Sequence, residues 1–164
     1  MGYIMQRILL PLVIVAAMYF GPMFAETTSG SATGASETVR TGQFFIGNMV
    51  GCLMELRVPL GEECAFDGEF HDSPLVGHVM NWTALLALGA GVLGIIGLLP
   101  VIGRLTSVLT VLAGLGALGA MGLLTLTLLG TDDGLGAIRW GVYLTAGAGL
   151  LTLIAGLAGM RGND

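Results

Sequence analysis

The sequence predicts an all-α membrane protein: a four-transmembrane-helix bundle with a small, disulfide-stapled, β-containing extracytoplasmic loop. Three observations lead to that class. Mean hydropathy is +0.87, and only 10% of residues are charged, against about 25% in soluble domains. Four long apolar stretches divide the chain. Eight of the eleven acids and both cysteines fall between residues 26 and 72, in its one long polar stretch. At 164 residues the chain makes a single membrane domain, 1–164. Net charge is −5, and the six basic residues are isolated arginines. No polybasic patch exists to hold nucleic acid or anionic lipid, so nucleic acid is not an expected partner.

The apolar stretches run over about 8–24, 79–102, 105–129 and 138–160. The last three each exceed the ~20 residues that cross a hydrocarbon core, with no Asp, Glu, Lys or His away from their ends. The first, "ILLPLVIVAAMYFGPMF", also reads as a signal peptide cut after Ala25. Met23 would then stand where such sites prefer a small residue, so a retained helix is expected, bent near Pro11 and ended by Gly21-Pro22.

Arginines orient the spans. Arg7, Arg104 and Arg161 share one side under a four-span count, which the positive-inside tendency makes cytoplasmic; Arg139 lies opposite. Both termini are thus expected in the cytoplasm of a plasma or inner membrane, with residues 25–78 outside, where a disulfide persists.

Within that loop, "ETTSGSATGASETVRTG" is small, polar and aperiodic and reads as a flexible tether. "QFFIGNMVGCLMELRV", Gln43 to Val58, is rich in aromatic and branched residues and reads as a half-buried strand. Turn signals follow at "VPLG" (58–61) and "FDGE" (66–69). A sheet this small needs a staple. Paired, Cys52 and Cys64 stabilise it by about 3 kcal/mol on the chain-entropy estimate. A metal site using Cys52, Cys64, His71 and His78 is the rival reading, but the spacing fits no zinc pattern, and no metal is expected. The acids read as a solvated face that keeps the loop out of the bilayer.

A short first helix, a cysteine-bearing first outer loop and the tight turn "PVIGRL" between spans two and three form a layout that resembles the claudin and peripheral-myelin-protein superfamily. The family's Gly-Leu-Trp-x-x-Cys, with a second Cys about ten residues on, is matched by Gly47, Cys52 and Cys64. Asn48 and Met49 stand where the family has Leu and Trp. The resemblance implies paired strands around the two cysteines and a structural role in adhesion, sealing or service to a larger channel.

The spans carry little chemistry. Without ionisable groups at mid-depth they do not suggest an ion or proton path. Thr106, Ser107, Thr110, Thr125, Thr127, Thr145 and Thr152 are expected to bond back to their own helices, and Arg139 to sit at an interface beside Asp132 and Asp133. No nucleophile–base set, phosphate loop or haem ligand pair is present, so neither enzyme activity nor a cofactor is expected. Small residues are abundant instead. Gly91, Gly94, Gly116, Ala117, Ala120 and Gly156 would let helices approach closely, within the bundle or against a partner. The expected function is that of a non-enzymatic accessory subunit, associating laterally in the lipid bilayer with other integral membrane proteins or with itself. A sensor or cation-binding protein using the acidic loop is the alternative.

Overall fold

The computed structural model describes residues 2–30, 34–57, 62–64, 66, 70, 74–96, 103–131 and 134–161. Helix α1 (Gly2–Phe20) is followed by an antiparallel hairpin of β1 (Pro22–Gly30) and β2 (Gly34–Thr41), then by α2 (Gln43–Met54). A single 3-10 turn spans Glu62–Cys64. Helices α3 (Pro74–Ile96), α4 (Gly103–Leu129) and α5 (Trp140–Arg161) complete the chain, with a second 3-10 turn at Gly134–Ala137.

Three helices are long and apolar enough to cross a membrane, over Leu75–Ile95, Leu105–Leu129 and Trp140–Met160. The apolar part of α1, Ile8–Phe20, is shorter. Even so, α1 packs against both α3 and α5, and α4 closes the ring from the other side by packing against the same two helices.

Close backbone approach builds this bundle. A Cβ on Gly114 of α4 would stand 2.7 Å from the Gly149 carbonyl oxygen of α5, and one on Gly156 of α5 would stand 2.9 Å from the Val111 nitrogen of α4. In lipid, apolar side chains gain little by meeting each other rather than acyl chains, so contact between backbones does the holding. Hydroxyls inside the bundle are mostly satisfied locally. Thr110, Thr125, Thr127 and Thr152 donate to the carbonyls four residues earlier at 2.6 to 3.0 Å. Thr145 departs from this expectation: its hydroxyl is buried and has no partner.

The two segments of the polar loop exchange the roles expected of them. Residues 43–54 form a helix rather than a strand. Its buried residues are Phe45, Ile46, Met49 and Cys52, a spacing of one, three and three that follows a 3.6-residue period and not alternation. The expected tether is the hairpin, with Ala25 opposite Val39 and Thr27 opposite Glu37. Thr27, Thr38, Val39 and Thr41 supply β-branched residues, which suit a pleated ribbon. The "VPLG" turn signal, "FDGE" apart from Phe66, and the first half of the turn "PVIGRL" lie outside the described residues.

Candidate functional site

Above the ring stands a cap made from the hairpin, α2 and the segment leading into α3. Its core is aromatic. The ring of Phe24 lies 4.8 Å from that of Phe70 and 5.8 Å from that of Phe45, and Phe45 lies 5.5 Å from Phe66. All four are buried, with Met23, Ile46, Met49 and Met80 around them. The fit is tight: a Cβ on Gly77 of α3 would fall 1.9 Å from the Phe66 ring. Asn81, also buried, locks the same place when its amide is oriented to donate to the Phe45 carbonyl (3.2 Å) and accept from the Phe66 N–H (2.8 Å).

Cys52 and Cys64 are disulfide-bonded, with Cα atoms 5.9 Å apart. The bond joins helix α2 to the 3-10 turn, not one strand to another, since Cys52 lies on α2 and Cys64 ends the turn. Both thiols are consumed, so the cysteine-based metal site is not available. Among the described residues no three His, Cys, Asp or Glu side chains gather where they could hold a metal ion. His78 is exposed, and His71 lies outside the described residues.

Just after α2 the chain turns sharply. The Leu56 N–H donates to the Leu53 carbonyl (3.2 Å) and the Arg57 N–H to the Cys52 carbonyl (2.9 Å). This is the Schellman pattern that closes helix ends, with Leu56 at φ 57° in the place glycine usually takes. Leu56 is 95% exposed, and neighbouring Met54 is exposed too.

Four acids of the cap, Glu26, Glu37, Glu55 and Glu63, are paired rather than merely solvated. Glu26 meets Arg40 at 3.5 Å, and Arg57 meets both Glu55 (3.0 Å) and Glu63 (3.4 Å). Arg139 pairs with Glu37 of β2. Sequence position suggests Asp132 and Asp133 as its neighbours, but these two lie outside the described residues. The hairpin folds over the start of α5 and brings Glu37 to the arginine. The Arg139 N–H also donates to the Met23 carbonyl at 3.0 Å, and Ile138 bridges to Phe24. The loop before α5 thus docks on the hairpin. A cleft of about 270 Å³ beside Glu37, Gly136 and Arg139 is slightly below the range of small-molecule sites, about 300–1,000 Å³.

Cap and bundle meet at three glycines. The Gly42 N–H donates to the Gly21 carbonyl at 3.3 Å. A Cβ on Gly42 would fall 1.5 Å from the Met18 carbonyl oxygen, and one on Gly141 would fall 2.4 Å from that of Pro22. No side chain fits there.

The small residues singled out in the spans all pack within the bundle. Gly91 lies against Leu12 of α1, Gly116 against Thr83 of α3 and Gly156 against Val111 of α4. Ala117 and Ala120 are fully buried, and Gly94 is buried as well. A different pair is open. Gly119 and Gly122 of α4 have nothing within 4 Å of an added Cβ, and both are exposed. With exposed Leu115 and Leu126 they mark one outward stripe, a leucine-bordered notch on α4. Spacings of three and four residues put all four on one side of the helix. The spacing alone does not separate this pair from its inward neighbours Gly116, Ala117 and Ala120; the packing of α3 and α5 does. The chain matches no protein-family model, no curated protein and no solved structure.

Proposed function

We propose that this protein is a four-span, non-enzymatic membrane subunit that associates laterally with other integral membrane proteins or with itself. The carrying observation is the outward notch at Gly119 and Gly122. The inward small residues are occupied by neighbouring helices of the same chain, whereas this pair leaves backbone open on the lipid-facing side. Small residues on such a face let a second helix approach closely.

The fourth span is α1. Its 19 residues extend about 28 Å at 1.5 Å each. The apolar part, Ile8–Phe20, covers about 20 Å of the ~30 Å hydrocarbon core, with the polar first turns at the inner boundary. Both termini then lie in the cytoplasm and the cap outside, in a layout similar to that of the claudin superfamily. Pairing of Glu26, Glu37, Glu55 and Glu63 with Arg40, Arg57 and Arg139 leaves less charge for a cation, so the cation-binding alternative is less favoured.

Native electrophoresis in mild detergent tests the association. Wild type should migrate above its monomer mass, and Gly119→Leu or Gly122→Leu should bring it down with helicity unchanged. A wild type that runs as a lone monomer and retrieves no partner contradicts the proposal. Orientation is tested separately: a cysteine at Gly162 should react with an impermeant thiol reagent only after permeabilisation.

A further inference from the structure

The exposed aromatic residues are not scattered. Among the described residues they are Phe20, Trp82, Trp140 and Tyr143, and all lie at the cap end of the bundle. Phe20 ends α1, while Trp140 and Tyr143 begin α5. Those two ends touch, because a Cβ on Gly21 would stand 3.1 Å from the Gly141 Cα. Trp82 belongs to the same end: Asn81 before it holds the Phe45 carbonyl, and the turn into Phe45 is held at Gly42, which bonds Gly21. Towards the opposite end the exposed large residues are aliphatic, among them Val13, Val92, Ile95, Val108, Leu112 and Ile154. Beyond the aromatic group, the hairpin and α2 end carry the ion pairs.

We infer that Phe20, Trp82, Trp140 and Tyr143 form a surface that binds the lipid headgroup region, and that the outer membrane boundary therefore crosses α3 at Trp82 and not at Leu75. The rings of Trp82, Trp140 and Tyr143 prefer that layer because their apolar bodies meet acyl chains while indole N–H and phenol O–H reach water and headgroups. The Phe20 ring, with no polar atom, adds apolar surface on the acyl side. The first two turns of α3 then stand above the bilayer. Two of their apolar residues, Val76 and Met80, are buried in the cap core and count as apolar by composition without facing lipid, while Leu75 is exposed. This inference rests on the membrane-spanning reading and adds the depth at which the chain sits.

The chain has two tryptophans, which makes depth directly readable. Trp82→Phe and Trp140→Phe each leave one reporter. The double variant Trp82→Phe/Trp140→Phe accepts a new one as Leu75→Trp or Val92→Trp. All are reconstituted into phosphatidylcholine vesicles brominated either near the acyl carbonyls or near the chain ends, and floated on a density gradient. Both native tryptophans should be quenched about twofold more by the shallow bromines than by the deep ones, as for rings about 15 Å from the bilayer centre. Leu75→Trp should be quenched by aqueous iodide and by neither lipid, and Val92→Trp mainly by the deep bromines. If floated protein shows Trp82 or Trp140 quenched best from the chain ends, or Leu75→Trp shielded from iodide in lipid, the boundary is wrong although the membrane reading stands. Failure to float overturns both.

Discussion

The cap and the bundle are held together by opposite means. The cap uses large side chains: four buried phenylalanines whose contacting rings lie 4.8 to 5.8 Å apart, and a disulfide that ties α2 to the turn after it. The bundle uses the near absence of side chains, with Gly114, Gly149 and Gly156 letting α4 and α5 touch through their backbones. The difference follows from the solvent each region meets. In water, burying aromatic surface is strongly favourable, but a cap this small buries little and gains from a covalent staple. In lipid the outside is as apolar as the inside, so what remains is packing, and packing is best where atoms approach most closely.

The sharpest break in this contrast should come from the cap's centre. Phe45→Ala removes a fully buried ring shared by Phe24, Phe66 and Phe70 and should destabilise the cap by on the order of 4 kcal/mol. Limited proteolysis should then cut within residues 22–70 while the helices of the bundle stay protected. Next is the staple. Mass mapping of the unreduced protein should yield a linked Cys52–Cys64 peptide pair, and Cys52→Ser with Cys64→Ser should cost the cap about 3 kcal/mol, read as proteolytic susceptibility at lower denaturant.

In the bundle, added bulk should hurt, whereas the cap loses stability when bulk is removed. Gly114→Val places methyl groups against the Gly149 carbonyl and Leu153 and should lower stability by about 2 kcal/mol through overpacking. Gly119→Val, on the open side of the same helix, should leave monomer stability within about 0.5 kcal/mol. Thermal unfolding in detergent compares the two. The smallest effect has the opposite sign. Leu56→Gly relieves a left-handed backbone penalty of about 1 kcal/mol while costing unfolded-chain entropy, for a net gain of about 0.5 kcal/mol.

The bundle is legible in the sequence because lipid imposes a simple requirement, twenty or so apolar residues, and spans two to four meet it without interruption. The cap is less legible. In "QFFIGNMVGCLM" the aromatic and branched residues suggest a strand, yet Phe45, Met49 and Cys52 recur at helical spacing, and the helix forms because that stripe covers the cap core. In the segment before it the roles reverse. Thr and Val residues flanking the glycines of "SGSATG" belong to a hairpin, hidden among small polar neighbours. Composition names the small residues of α4 but does not sort them. Only the packing of α3 and α5 shows that Gly116, Ala117 and Ala120 face inward while Gly119 and Gly122 do not. Arg139 also needs the fold, since its partner Glu37 lies far earlier in the chain.

Everything proposed about function turns on whether a second membrane helix sits against the open side of α4. Site-specific photo-crosslinking in native membranes answers that, with a benzophenone amino acid placed at Leu115, at Leu126 and, as comparison, at Ile154 on the outward face of α5. Positions 115 and 126 should give protein adducts, lost when Gly119→Leu is added, and position 154 should give only lipid adducts. Lipid adducts alone from all three positions would mean that no helix docks there.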